Sequence, residues 1–293
     1  MHEIVIISGK GGAGKTSITG AFSHLAEKAI LCDLDVDAPD LHLLLDPKHE
    51  TEESFKSGNE AIIDNELCAG CGQCAELCRF NAVSEKDGLF TINPMLCEGC
   101  KVCVALCPTE AIDFPERHCG QWYVSKTRFG QMVHAQLFPG EENSGRLVTL
   151  LKQKARVMAE EQGLELVLCD GAPGIGCPVI SSMAGTDLAV AVTEPTLSGL
   201  HDLKRVAELC DGFRTKVAVL INKWDINPEL SDQIEAYCEG KGYTIVGRFP
   251  HDKKVVDAML NRQVITEYEN GELSTTLKQA WSDILTMVKD IKK

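Results

Sequence analysis

The chain of 293 residues is poor in aromatic side chains (5%) and has fewer basic than acidic residues, 29 Lys and Arg against 43 Asp and Glu. The net charge of −14 excludes a basic face able to neutralise a duplex, so nucleic acid is not an expected partner. Acidity of this size keeps a protein soluble and can also steer a basic redox partner. No apolar run approaches the length of a membrane span. The N-terminus, Met1 to Ile7, runs straight into a strand and a glycine loop, leaving no room for a leader peptide. A cytoplasmic location follows as an expectation, and it disfavours a disulfide framework for the 14 cysteines. Tightly grouped intracellular cysteines read instead as metal ligands.

Hydrophobic residues make up 44% of the chain, enough for a sizeable core. Ile4 to Ile7 is a short apolar run ending at Ser8-Gly9, the pattern of a buried parallel strand. Gly9 to Thr16 follows with the spacing G-x-x-x-x-G-K-[ST], in which backbone N–H groups of Gly11, Gly12, Ala13 and Gly14 turn toward phosphate oxygens. Lys15 is then expected at the β- and γ-phosphates, and the Thr16 hydroxyl at Mg²⁺, with Ser17 beside it. Further apolar runs at 29–32, 164–169, 188–192 and 217–221 alternate with helical patterns. Together they predict a doubly wound, mostly parallel α/β sheet with its ligands at the carboxyl ends of the strands.

Between the second and third of these runs the composition changes. Cys68-x₂-Cys71-x₂-Cys74-x₃-Cys78 is followed, 29 residues on, by Cys97-x₂-Cys100-x₂-Cys103-x₃-Cys107-Pro108. Two-residue gaps aim three thiolates at one cubane, and the fourth cysteine of each run reaches the other cluster. The expected sets are Cys68, Cys71, Cys74 and Cys107 for one [4Fe–4S] cluster, and Cys97, Cys100, Cys103 and Cys78 for the second. A zinc ribbon needs two ligand pairs rather than two runs of four. Arg79 stands where the second run has Pro108, a departure that removes no ligand.

Lys10 to Thr16 meets the pattern K-G-G-x-G-K-[ST], and on those residues the chain resembles the MinD/ParA superfamily of deviant Walker A ATPases, which includes the nitrogenase iron protein. With the two cysteine runs, it resembles members that carry an inserted 2[4Fe–4S] ferredoxin domain of α+β, bacterial type. The resemblance implies an ATPase domain at 1–59 and 118–293, and a ferredoxin domain at 60–117. It also implies ATP or ADP with Mg²⁺ as ligands and a homodimer in which Lys10 reaches the partner's nucleotide. Asp35 would orient the attacking water and, with Asp170, hold Mg²⁺ through water; Asp33 and Asp37 are secondary candidates. Asn222, with Pro250 in the Phe249–Asp252 turn, would bind the adenine.

The functional expectation is a Mg²⁺-dependent ATPase that couples nucleotide state to electron transfer with a redox or metalloprotein partner. Movement near Asp35 would shift the ferredoxin module against that partner. A cluster-assembly or carrier ATPase is the alternative, and a MinD-like positioning ATPase the third. Cys32, Cys169, Cys210 and Cys238 read as core cysteines. Cys177 reads first as buried packing, with a bridging-cluster ligand at a dimer interface as the alternative that the resemblance to the nitrogenase iron protein implies. His118-Cys119 reads first as a linker, with an added cluster ligand or tuning role as the alternative. The C-terminal helix lines up Leu273, Leu277, Trp281, Ile284, Leu285, Val288 and Ile291, a face expected to pack on the sheet rather than on a membrane.

Overall fold

The computed structural model describes residues 1–141 and 144–291. Along the chain run β1 (His2–Ser8), α1 (Lys15–Leu25), β2 (Ala29–Asp33), α2 (Leu41–Leu45), β3 (Lys48–Asn59), β4 (Ile62–Ile63), α3 (Gln73–Leu77), β5 (Val83–Lys86) and β6 (Leu89–Ile92). There follow α4 (Val102–Ala105), β7 (Ile112–Asp113), β8 (Glu116–Lys126), β9 (Gln131–Leu137), α5 (Ser144–Glu161), β10 (Leu166–Pro173), α6 (Cys177–Met183), β11 (Leu188–Thr193) and α7 (Leu197–Gly212). The remainder is β12 (Lys216–Asn222), α8 (Pro228–Lys241), β13 (Thr244–Phe249), α9 (Lys254–Leu260), α10 (Ile265–Tyr268) and α11 (Glu272–Lys289). The chain divides into two compact units, the first Met1–Glu53, Trp122–Gln136 and Ser144–Lys293, the second Ser54–Gln121 and Leu137–Asn143.

The large sheet has the order β13-β12-β11-β1-β10-β2-β9-β8-β3. In the first unit β1 lies between β10 and β11, parallel to both, with Ile6 opposite Asp170 on one side and Val190 on the other. Ile4 to Ile7 are fully buried, as a strand covered on both faces requires. β2 continues the parallel set and meets β9 in parallel at Leu31–Met132. β8 and β9 are joined by a tight turn in which the Thr127 N–H donates to Gly130 O at 2.9 Å, a connection that only antiparallel strands allow.

The apolar stripe of α11 is covered. Leu273, Leu277, Trp281, Ile284 and Val288 are buried in the main core, where Trp281 stacks on Phe22 with ring centroids 5.0 Å apart. No described helix is long and apolar enough to cross a membrane.

The second unit is built twice over. β4 pairs antiparallel with β7, and β5 with β6. The 29-residue shift recurs in the backbone: Gly70 and Gly99 have φ of 67° and 60°, and Asn81 and Glu110 have 52° and 53°. Hydrogen bonds repeat as well. Asp64 N–H donates to Ala111 O at 2.8 Å and Asn93 N–H to Ala82 O at 2.7 Å, each bond joining one repeat to the other. Ala82 and Ala111 are both buried.

Candidate functional site

The loop between β1 and α1 wraps one wall of a cavity of about 550 Å³ in the first unit, a volume in the range of small-molecule sites. Gly11, Gly12, Gly14, Lys15, Thr16, Ser17 and Asp35 line it, together with Asn222, Phe249, Pro250 and His251. Gly14 caps α1 in the left-handed region at φ 90°, and a Cβ there would lie 2.2 Å from Asn222 Nδ2. Only glycine satisfies both conditions. Asn222 in turn donates from Nδ2 to Ala13 O at 2.8 Å, while its Oδ1 accepts the Lys223 N–H at 3.1 Å. The Asn222 side chain therefore braces the loop. Ala13 itself is buried and contributes its carbonyl.

At the floor of the site the charges interlock. Lys15 Nζ lies 2.9 Å from Asp170 Oδ1 and 3.7 Å from Asp35 Oδ2. Thr16 Oγ1 donates to Asp170 Oδ2 at 2.9 Å, and Thr19 Oγ1 donates to Asp170 Oδ1 at 2.7 Å. Burial works to lower the Lys15 pKa, but the facing Asp170, Asp33 and Asp35 carboxylates outweigh it and hold the amine above its ordinary value. Burial pushes Asp35 up to about 6 against the opposing pull of Lys15. Asp33 is raised well above the carboxylate range, first by burial and then by the Asp170 charge. Its Oδ1 accepts the Asp35 N–H at 3.1 Å, whereas Oδ2 is buried without a partner. Asp37 is raised by burial alone. A lysine, a threonine hydroxyl and carboxylates of this kind can hold a phosphate chain and a hard divalent cation.

Lys10 points within its own chain. Its Nζ pairs with Glu194 Oε1 at 2.7 Å and donates to Ser198 Oγ at 3.0 Å. Glu194 also holds Lys223, whose Nζ lies 3.1 Å from Oε2 and donates to Gly12 O at 3.0 Å. Burial would raise Glu194, but hydrogen bonds from Lys10 and Lys223 keep it below its ordinary value. Sequence reasoning passed over Glu194 and Thr19. Glu194 follows directly on β11, at the carboxyl edge of the sheet, and its position there is the one signal that would have found it.

In the second unit Cys68, Cys71, Cys74 and Cys107 line one small cavity of about 20 Å³. The Ala111 N–H donates to Cys107 Sγ at 3.3 Å, and the Ala82 N–H to Cys78 Sγ at 3.4 Å, equivalent bonds in the two repeats. Burial raises Cys74 and Cys103. Each also feels its neighbours' charges, Cys74 those of Cys68 and Cys71, and Cys103 those of Cys97 and Cys100. The slight burial of Cys107 is outweighed by backbone N–H groups, Thr109 first, which hold its thiol below the ordinary value. Among the described residues no three His, Cys, Asp or Glu converge as on a single metal ion.

The remaining cysteines divide. Cys32, Cys169, Cys210 and Cys238 are buried, as expected of core positions. Cys177 was expected in buried packing and is exposed: it opens α6 beyond the Gly174–Gly176 turn, with the side-chain-free Gly145 of α5 as its close neighbour. Nor is His118-Cys119 a linker. Both lie within β8, and the buried Cys119 thiol donates to Ser57 O at 3.2 Å and is pushed up to about 11 by burial and then by Glu141.

A phosphate-binding loop at the edge of a parallel sheet, closed by a buried lysine–aspartate pair, defines a P-loop nucleotide-binding protein. Residues 4–265 match the family described as the CobQ/CobB/MinD/ParA nucleotide binding domain, and the chain belongs to that family. It is 36% identical over 287 residues to an uncharacterized protein of Methanocaldococcus jannaschii, the match covering 96% of each chain. A second uncharacterized protein of that organism is 25% identical over 285 residues, 83% of this chain and 93% of the relative. The fold is similar to the cell division ATPase MinD of Pyrococcus furiosus, with a TM-score of 0.58 and 15% identity over 98% of this chain and 99% of that one. It is equally similar to the septum site-determining protein MinD of Pyrococcus horikoshii, solved in complex with Mg-ADP (TM-score 0.58, 14% identity, 100% and 99% covered).

Proposed function

We propose that the chain is an ATP-hydrolysing iron–sulfur protein in which nucleotide state governs one-electron exchange with a redox partner. The observation that carries this reading is the pairing of the Lys15–Thr16–Asp170–Asp35 site with two cysteine runs that match in spacing, backbone conformation and sulfur hydrogen bonding. On the nucleotide side, Lys15 anchors the β- and γ-phosphates of ATP, and Thr16 with Asp170 supports Mg²⁺; the similarly folded P. horikoshii protein was solved with Mg-ADP. Asp35 orients the water that attacks the γ-phosphorus as the bond to the β-phosphate oxygen breaks. Lys10 leaves Glu194 for the nucleotide of a second copy when a homodimer closes. The purine lies against Asn222 and Pro250.

The cysteines fit clusters. Four of them surround one cavity, and a backbone N–H points at Cys107 Sγ and at its twin Cys78 Sγ, as thiolate ligands require. Cys68, Cys71, Cys74 and Cys107 would hold one [4Fe–4S] cluster of an inserted ferredoxin domain, and Cys97, Cys100, Cys103 and Cys78 the other. Such clusters supply reversible one-electron chemistry when bound. The thiolate loops position them and the acidic surface attracts a basic partner in the cytoplasm. Anaerobic purification with iron and acid-labile sulfide analysis tests the reading, which expects about eight of each per chain from two four-iron clusters. Cysteine runs without iron, or with stoichiometric zinc, would refute it.

A second reading, a positioning ATPase, is favoured by the fold shared with MinD, including the Aquifex aeolicus protein solved as a MinC:MinD complex (TM-score 0.57, 18% identity, 98% of this chain and 96% of that one). It predicts recruitment to a membrane or a protein scaffold. The covered apolar face of α11 counts against the membrane route. A cluster-carrier role predicts rapid transfer of iron and sulfide to an apo-protein instead of stable redox cycling.

A further inference from the structure

The two repeats of the second unit share a backbone but not a charge. Around the Cys68, Cys71, Cys74 and Cys107 set, residues 64–76 and 107–111 carry four carboxylates, Asp64, Glu66, Glu76 and Glu110, and no cation. The equivalent residues 93–105 and 78–82 around the Cys97, Cys100, Cys103 and Cys78 set carry one carboxylate, Glu98, and two cations, Lys101 and Arg79. Lys101 is the telling substitution. It caps α4 at φ 65°, where Gly72 caps α3 at φ 74°. The left-handed region strains a lysine and suits a glycine, so the second repeat keeps a costly backbone in order to present an ammonium group. Lys101 Nζ rests 5.6 Å from the centre of the Phe114 ring, and Phe114 O accepts from Asn59 Nδ2 beside the close-packed Gly99. Arg117 Nη1 donates to Cys97 O at 3.4 Å, but Glu141 balances its charge at 2.7 Å.

Resting on the iron–sulfur reading above, we propose that the site of Cys97, Cys100, Cys103 and Cys78 has the higher reduction potential, that Lys101 and Arg79 set it, and that an electron entering the unit comes to rest there. Reduction adds a negative charge, which nearby cations favour and carboxylates oppose. An external one-electron donor supplies the electron. Passage between the sites oxidises the first as it reduces the second, and no bond or proton moves. Because both cations are solvent-exposed and screened, each shifts the electron's partition between the sites by about three- to tenfold, tenfold being 59 mV for one electron.

The test is an anaerobic redox titration of the full chain, with dithionite as the donor and EPR as the readout. Wild type is expected to titrate in two separate steps. Lys101→Gly, which restores the residue that serves the same turn in the other repeat, is expected to lower the upper step by about three- to tenfold in the reduced-to-oxidised ratio and leave the lower step in place. Arg79→Gln is expected to do the same, and Glu110→Gln to raise the lower step alone. Iron content is measured on every variant. A full complement of clusters with coincident steps, or a Lys101→Gly variant whose upper step does not move, overturns the ordering and leaves the iron–sulfur reading standing. Fewer than two clusters per wild-type chain overturns both.

Discussion

Gly14→Ala is the sharpest perturbation of the nucleotide site. The new Cβ would sit 2.2 Å from Asn222 Nδ2, at a residue whose φ is 90°. Holding an L-residue in the left-handed region costs roughly 1–2 kcal/mol. Displacing Asn222 breaks its bond to Ala13 O, worth about 1 kcal/mol. The loop conformation that binds phosphate is thus disfavoured by roughly 2–3 kcal/mol, about a thirty- to two-hundred-fold loss of nucleotide affinity. Titration with a fluorescent ATP analogue measures it, with thermal unfolding as a control for global damage. Asn222→Ala in the same chain removes the clash but not the strain, so the double variant should bind better than the sum of the single losses predicts. Wild-type affinity in Gly14→Ala, or strict additivity in the double variant, would refute the reasoning.

Three more outcomes are expected. On the proposed mechanism Asp35, raised to about 6 by burial, orients water only when ionised, so hydrolysis should fall as pH drops through about 6, and Asp35→Asn should abolish both the activity and that acidic limb. The stability effect has the opposite sign. Between the ordinary value of 3.8 and about 6 the folded chain keeps a proton that the unfolded chain has lost, so ionising Asp35 destabilises the fold as pH rises through that window and adds nothing further above it. Trp281→Ala removes a ring stacked 5.0 Å from Phe22 and should cost about 3–5 kcal/mol in urea unfolding; a loss below 1 kcal/mol would contradict the packing of α11. Glu194→Gln weakens an ion pair that competes with any intersubunit use of Lys10, and light scattering with ATP should show dimerisation at lower protein concentration; an unchanged threshold would show that the pair does not restrain Lys10.

The parallel sheet was legible because its strands are buried on both faces and read as unbroken apolar runs, Ile4 to Ile7 being the plainest. β3 was not. Its Lys48–Asn59 run is charged and mostly exposed at the edge of the sheet, with only Phe55 and Ser57 buried, so no alternation announced it. β8 and β9 were missed for a related reason, their signal being divided between a hairpin and the strands flanking the cysteine repeats. At the site, Lys15 and Thr16 were readable from a fixed spacing and Asp35 and Asp170 only through the resemblance to the superfamily, and the structure brings all four together. Glu194 was signalled only by its place at the end of β11, because its role depends on Lys10 and Lys223 arriving from elsewhere in the chain. Cys177 was misjudged by composition. A cysteine among small residues suggests packing, but this one opens a helix after a glycine turn, against a glycine that has no side chain to cover it.

The central claim is that the two units work as one machine. Its most direct test is steady-state ATP turnover by anaerobically purified protein, first with the clusters oxidised and then with them reduced, with EPR and iron content confirming each state. The account predicts a clear change in rate between the two redox states, and loss of that change when Cys78 and Cys107 are replaced by serine. Identical turnover in both states, with both clusters intact, would contradict it.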